Sequence, residues 1–563
     1  MTTKSAKSTP TINHAAFACL GVWIALLIVL ALPTRLPIGA MYWDNAIYYD
    51  GAMRVLAGQV PSVDFFAPAG PLSYWLSAVL FWLFPGGQSV LVASWSLALV
   101  SLPLMAVTAF EIGKTKPGIA WALTAVFLIY TVLPFNTTPY SSFPGADGFA
   151  IYNRHGSQGL LLLASILLFV KTRRILVALI AATMLVLFLT KITAFLSGGF
   201  LCLFALIVGR VTIREALVTA ALFAGVLGLT ELASGAISGY LANIATLATM
   251  NSDSLLPRLL QAVSRTFSTG LAAGLLALAL LVFEGPRLHK KWREAKQEKW
   301  SATQKLLDQP FMWIGVLALA GILFESQNTG GQEMVFLWPA VLMVLLRLTS
   351  FMMQPARLAV VALLAGLAVL PPLAATVQAS VRAVVGMATD IALDDDALGP
   401  LGRVTMRPAM AARAEFMRGV YLDNAPLLKR FADNDQIPSP SLFADFDFQI
   451  LWLKEVSAAV SALKQRERDG YPFQSVMTLN FANPFPGLLG KSAPKYIAIG
   501  ADPGRAVPPL DERTAQSIRD TDIVLVPLCP YTAATRALET IYATALADRR
   551  TEPLTACYDM LLN

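Results

Sequence analysis

Apolar residues dominate this chain in long blocks broken by short polar loops. The blocks are long enough to be read as membrane-spanning helices, which need roughly 17–25 apolar residues each. Eleven are predicted, at about 15–33, 89–110, 118–135, 157–170, 175–190, 192–209, 216–239, 267–283, 311–325, 334–349 and 358–378. Two blocks depart from this pattern. The run Pro71–Phe84 is apolar but short, and is predicted to lie at the membrane surface as a re-entrant or juxtamembrane helix. Its Tyr74, Trp75 and Trp82 suit the headgroup boundary. The segment of about 45–58 is predicted to form a second such helix. The stretch Ile175–Val208 is too long for one crossing and is read as two spans with Lys191 at a nearly absent turn. There the lysine either snorkels to the headgroups or binds an anionic group.

Basic residues set the expected orientation. With the N-terminus inside, the cytoplasmic loops hold Lys4, Lys7, Lys114, Lys116, Lys171, Arg173, Arg174, Arg210 and Arg214. The same side holds a dense cluster from Arg287 to Lys305, then Arg347 and Arg357. The opposite loops hold only Arg35, Arg54, Arg154, Lys191, Arg258 and Arg265. Were Pro71–Phe84 a crossing, the dense cluster would face outward. The expected protein is therefore multi-pass, with a cytoplasmic N-terminus, in a bacterial inner membrane.

Composition agrees. Of 563 residues, 56% are hydrophobic and 14% charged, well below the roughly 25% charged of a soluble domain. The net charge of +7 sits in short loops between spans, which argues against a nucleic-acid partner. The first apolar run is read as a retained span rather than a signal peptide. Three dispersed histidines offer no metal cluster, and four cysteines contain no CxxC pair. Cys19 and Cys202 fall inside apolar helices. A disulfide between Cys529 and Cys557 is left open.

Beyond residue 378 the pattern changes to mixed charge and scattered prolines. Residues 379–563 are expected to form a soluble α/β domain outside the cytoplasm, following a membrane domain over 1–378. Gln449–Arg468 and Ala533–Leu546 are predicted helical, and Ser475–Leu479, Tyr496–Ile499 and Ile523–Pro527 are predicted as short buried strands. The aromatic, proline-rich loop Asn480–Gly487 reads as a packed turn or a ligand contact.

Candidate chemistry concentrates in the first outer loop, about 34–88. Asp44 follows the first span, flanked by Tyr42 and Trp43, and acids beside lipid are costly unless paired or used. Asp50 and Arg54 are four residues apart, so on a helix they pair, leaving Asp44 as the free acid. Asp44 also fits a helix N-cap. Asp64 opens a corner shaped by Pro68, Gly70 and Pro71.

The pattern W-D-x-A-x-Y-Y-x-x-A-x-x-x-L-x-G from Trp43, then D-F-F-x-P-x-G-P-L from Asp64, then a short apolar helix ending in Leu83-Phe84-Pro-Gly, resembles the GT-C superfamily. These are integral-membrane glycosyltransferases using polyprenyl-phosphate sugars, among them the protein mannosyltransferases and the lipid A aminoarabinose transferase. The resemblance covers about residues 15–210. It implies that Asp44 is the general base, while Asp64 matches a later acid whose role varies. Many members carry Asp-Glu where this chain has Asp44-Asn45, so no metal is expected, and no cofactor. The resemblance does not extend to the C-terminal part, which either determines the acceptor or is purely structural.

On that reading a sugar passes from a polyprenyl-phosphate donor to a cell-envelope glycan or lipid acceptor, with inversion, on the extracytoplasmic side. The partners are then donor, acceptor and lipid bilayer. Candidate substrate-binding residues are Tyr48, Arg54, Tyr152, Arg154, His155, Lys191, Gln327 and Asn328. Arg154, His155 and Lys191 are placed for the phosphate, and the outer loop around Gln327 and Asn328 for sugar hydroxyls. A flippase for a lipid-linked substrate, which predicts internal repeats, and a non-catalytic envelope scaffold are the alternatives.

Overall fold

The computed structural model describes residues 13–137, 145–295, 300–327, 331–348, 354–393, 395–436 and 446–563. Each of the eleven apolar blocks is helical. Among the described residues five helices are long and apolar enough to cross a membrane: His14–Ala31, Arg173–Thr190, Ile213–Ser234, Phe267–Arg287 and Pro355–Thr389. A sixth candidate is the pair Ser89–Trp95 and Ala98–Gly113, bent by 40°. The chain is a polytopic membrane protein. Ile213–Ser234 fully buries none of its residues; its Phe223 packs on Phe188 and Phe195, and its exposed apolar faces suit lipid tails.

The two short outer helices form where the pattern places them, at Asn45–Leu56 and Pro71–Leu83. Pro71 takes the first helical position, where its missing N–H is no loss. Before it, Gly70 donates its N–H to Thr190 O at 2.9 Å. A Cβ at Gly70 would lie 2.1 Å from Leu189 O, so only glycine permits this approach. The corner is thereby docked on the break between Arg173–Thr190 and Ile192–Ile207, where Lys191 is the single intervening residue.

The C-terminal part contains a four-stranded sheet ordered Val476–Thr478, Ile523–Pro527, Tyr558–Leu562, Arg550–Thr555. The first pair is parallel and the others antiparallel. Phe446–Arg468 is helical, as are Ala533–Ile541 and Ala543–Leu546. Tyr496–Ile499 is not a strand of this sheet. It runs beside the first outer loop instead, with Phe66 N–H donating to Ile497 O and Ile499 N–H to Phe66 O, both at 3.0 Å. The first outer loop also supplies a strand, Leu36–Pro37, which pairs in parallel with Val404–Met406. The last membrane helix continues through residue 378 to Gly386. The two parts of the chain are thus stitched together along the outer loop.

Candidate active site

The first span ends, and Met41 turns the chain in a left-handed conformation (φ 55°) into the short turn Tyr42–Asp44. Neighbouring contacts pin this turn on both sides. Tyr42 Oη donates to Leu401 O at 2.9 Å, and Trp43 N–H donates to Gln449 Oε1 at 2.8 Å. The Trp43 ring stacks on Phe481 at 4.9 Å and meets Phe448 edge-on at 5.5 Å. Such aromatic pairs add about 0.5–1.5 kcal/mol each beyond their burial.

A second segment lies directly over the turn. Ala146 N–H donates to Pro37 O at 2.8 Å, and Ala146 bridges to Ile38. A Cβ on Gly148 would meet Met41 O at 2.6 Å, so the two backbones are in contact. This close approach carries Asp147 to Asp44. The Asp44 carboxylate is buried, and its Oδ1 has no hydrogen-bond partner among the described residues. Burial and the neighbouring Asp147 carboxylate hold Asp44 well above the usual carboxylate range, and Asp502 adds in the same direction. Burial pushes Asp147 up to about 6, partly offset by its bond from Phe149 N–H and by the charge of Arg154.

Ala150, also left-handed (φ 57°), then starts the helix Ile151–Phe169. Two strained non-glycine residues therefore bracket the paired acids, a placement found where function over-determines the backbone. The first turn of this helix carries Tyr152, Asn153, Arg154 and His155. Arg154 is 2% exposed. Its Nη2 donates to Ser94 Oγ at 3.2 Å and Asp147 O at 3.4 Å, while Nε and Nη1 have no partner among the described residues. A buried guanidinium with unmet donors has the hydrogen-bonding capacity that an oxyanion requires. His155 Nε2 lies 3.0 Å from Ser94 O. Tyr48 Oη accepts the Tyr152 N–H at 3.0 Å, and the Tyr48 ring stacks on Tyr74.

Lys191 does not snorkel. It is buried, and its ammonium donates to Asn153 Oδ1, to Gln327 O at 2.7 Å and to Phe324 O at 3.5 Å. The Phe324 ring lies 4.7 Å away and that of Tyr152 5.5 Å. Gln327 turns its side chain outward, where Oε1 accepts from Arg258 Nη1 at 3.1 Å. Asn328 lies outside the described residues.

The remaining candidates hold the loop in place. Asp50 and Arg54 form the expected i,i+4 pair at 2.9 Å, both buried. Arg54 Nη1 also donates to Pro494 O at 2.8 Å and Gln59 Oε1 at 3.1 Å. Asp64 Oδ2 accepts the Val60 N–H at 2.8 Å, and Oδ1 pairs with Lys495 at 3.0 Å. Both residues bind the first outer loop to the C-terminal part. Asp147, Arg258 and Asp502 were not singled out from the sequence. Each reaches the site only through the fold, although Asp147 lies in a glycine-rich segment between two predicted spans. Among the described residues no three His, Cys, Asp or Glu side chains converge as metal ligands. Cys529 and Cys557 form a disulfide.

No family model matches this chain, and no curated protein matches it. Among solved structures, ArnT from Cupriavidus metallidurans bound to undecaprenyl phosphate is similar, with a TM-score of 0.41 and 13% identity over 98% of each chain. The same protein in the apo state gives a TM-score of 0.38 and 12% identity, covering 97% of this chain and 98% of that one. Likeness at this level fixes neither chemistry nor residue roles, which rest on the geometry above.

Proposed function

We propose that this protein is a GT-C-type glycosyltransferase that moves a sugar from a polyprenyl-phosphate donor to a cell-envelope acceptor on the extracytoplasmic face of a bacterial inner membrane. The observation that carries this reading is the pairing of two buried groups with unmet hydrogen-bonding capacity: the Asp44 carboxylate and the Arg154 guanidinium, with Asp147 between them. Sugar transfer from a lipid phosphate needs a base for the acceptor hydroxyl and a cation for the departing phosphate. The polyprenyl donor follows from the sequence resemblance at Trp43–Gly58 and Asp64–Leu72.

In the reaction Asp44 takes the proton of the acceptor hydroxyl as its oxygen attacks the anomeric carbon. The bond from that carbon to the phosphate oxygen breaks, its electrons leave with the polyprenyl phosphate, and the configuration inverts. Arg154 receives the phosphate charge on its free N–H groups. Lys191, whose N–H groups are met within the chain, instead holds the helix ends that frame the site. Asp147 keeps Asp44 basic. The segments around residues 44, 147, 154, 191, 258 and 327 meet at one end of the bundle, which supports a single side for the site, and the scarcity of lysine and arginine in those loops supports the outward side. The Cys529–Cys557 disulfide suits an oxidising compartment.

The test is transfer in vitro. Purified wild type and Asp44→Asn are incubated with radiolabelled polyprenyl-phosphate sugars and an envelope lipid extract. Label enters a new product with wild type and not with Asp44→Asn. Equal product from both, with both folded, refutes the assignment of Asp44. Donor binding without product in either favours a flippase.

A further inference from the structure

A cleft separates the Tyr42–Asp44 turn from the C-terminal part, and the proposed reaction leaves it without a role. Its walls include Trp43, Phe448, Trp452, Phe481, Glu455 and Asp502. Five aromatic residues, Tyr558 the fifth, and two acids line the cleft, with no lysine or arginine among the described lining residues. Two of its buried polar atoms are unmet. Trp452 is 5% exposed, and its Nε1, a donor only, has no partner among the described residues. Glu455 is 6% exposed; its Oε1 accepts from Arg418 Nε at 2.6 Å, while Oε2 has no partner among the described residues. An apolar occupant would leave both atoms unmet, at a cost of about 1–3 kcal/mol each. The two acids already pair with Arg418 and with Arg505 at 3.1 Å, so a phosphate or carboxylate would find no free cation among the described lining residues.

The occupant that satisfies these walls has apolar faces for the rings and hydroxyls that both donate and accept. A pyranose ring has both. We propose that this cleft is a carbohydrate subsite that takes an uncharged pyranose ring of the acceptor, with Trp452 donating to one ring hydroxyl and Glu455 accepting from another. The acceptor role rests on the transferase reading; sugar binding itself does not. The position is apt, because Trp43 is one wall and its neighbour in the chain is Asp44. Asp502, also in the lining, lies near enough for its charge to reach Asp44. A ring held here would extend its chain toward the base.

The test is ligand-observed NMR titration of the full-length protein in lipid nanodiscs. The probes are the methyl pyranosides of glucose, mannose, galactose and N-acetylglucosamine. At least one should bind saturably, and Trp452→Phe, which removes the N–H and keeps an aromatic ring, should weaken it about tenfold, the scale of one hydrogen bond. Glu455→Gln is the second variant, with the same expectation. No saturable binding by any probe, or unchanged binding in Trp452→Phe, overturns the proposal. The label-transfer assay reads the reaction separately. Pyranoside binding that weakens in Trp452→Phe, in a protein that transfers nothing, upholds the cleft and removes the transferase.

Discussion

Asp44 carries the account at the scale of single residues. Its value as a base comes from the same burial that makes its charge costly. Because its folded-state pKa lies above the unfolded one, its contribution to stability is fully present below the unfolded pKa. That contribution is lost as pH rises through the folded pKa. Asp44→Asn, which does not titrate, should therefore melt at a higher temperature than wild type at neutral pH. The gap should widen as the pH is raised from 5 to 8, as read by thermal unfolding in nanodiscs. A gap that narrows with pH would mean that Asp44 is stabilised as the anion. Asp44 stood out in the sequence as an acid flanked by aromatics beside a span, and in the fold it is buried without the side-chain cap bond that a helix N-cap would make. Asp147 did not stand out, because nothing local marks it. Its importance comes from the contact of Gly148 with the Met41–Asn45 backbone.

Individual elements were legible where local physics decides them. The Asp50–Arg54 spacing gives a helical pair, Pro71 starts a short helix, and Lys191 breaks a stretch too long for one crossing. The hairpin Arg550–Thr555 and Tyr558–Leu562 escaped, since its edge strand is largely exposed and carries Arg550, Glu552 and Pro553 rather than an alternating apolar face. Tyr496–Ile499 reads as a strand, but Tyr496 is left-handed (φ 64°) and the segment forms an isolated bridge to Phe66, a choice no local pattern reveals. Gly70 tests how elements position the site. Gly70→Ala places a methyl against Leu189 O and forces the corner off the Thr190–Lys191 break. The expected result is a loss of about 1–3 kcal/mol and a fall in transfer rate. Wild-type stability and rate in this variant would show that the docking is unimportant.

The whole molecule departs most from what the chain suggests when read in order. The pattern change near residue 378 marks a difference in composition, yet strand pairing at Leu36–Pro37, the Arg54–Pro494 bond and the Asp64–Lys495 pair tie the first outer loop to the C-terminal part. The candidate site is built across that junction. The Cys529–Cys557 disulfide lies in the wall of the cleft beside Trp43 and closes a loop of 28 residues. By chain entropy it contributes about 3–4 kcal/mol. Cys557→Ser should thus lower the unfolding midpoint and weaken pyranoside binding together. A stability loss with binding unchanged would show that the cleft wall does not depend on the bridge.

The central claim is that Asp44 acts as a base whose strength is set by Asp147, and the pH dependence of transfer tests it most directly. The rate constant kcat/KM is measured from pH 4 to 8 for wild type and Asp147→Asn. Transfer needs Asp44 ionised, so the wild-type rate should climb with pH, with a midpoint above the usual carboxylate range. Removing the Asp147 charge should move that midpoint to lower pH, the two acids titrating as a coupled pair. An acid limb that stays in place in Asp147→Asn, or a wild-type rate that does not fall on acidification, would contradict the account.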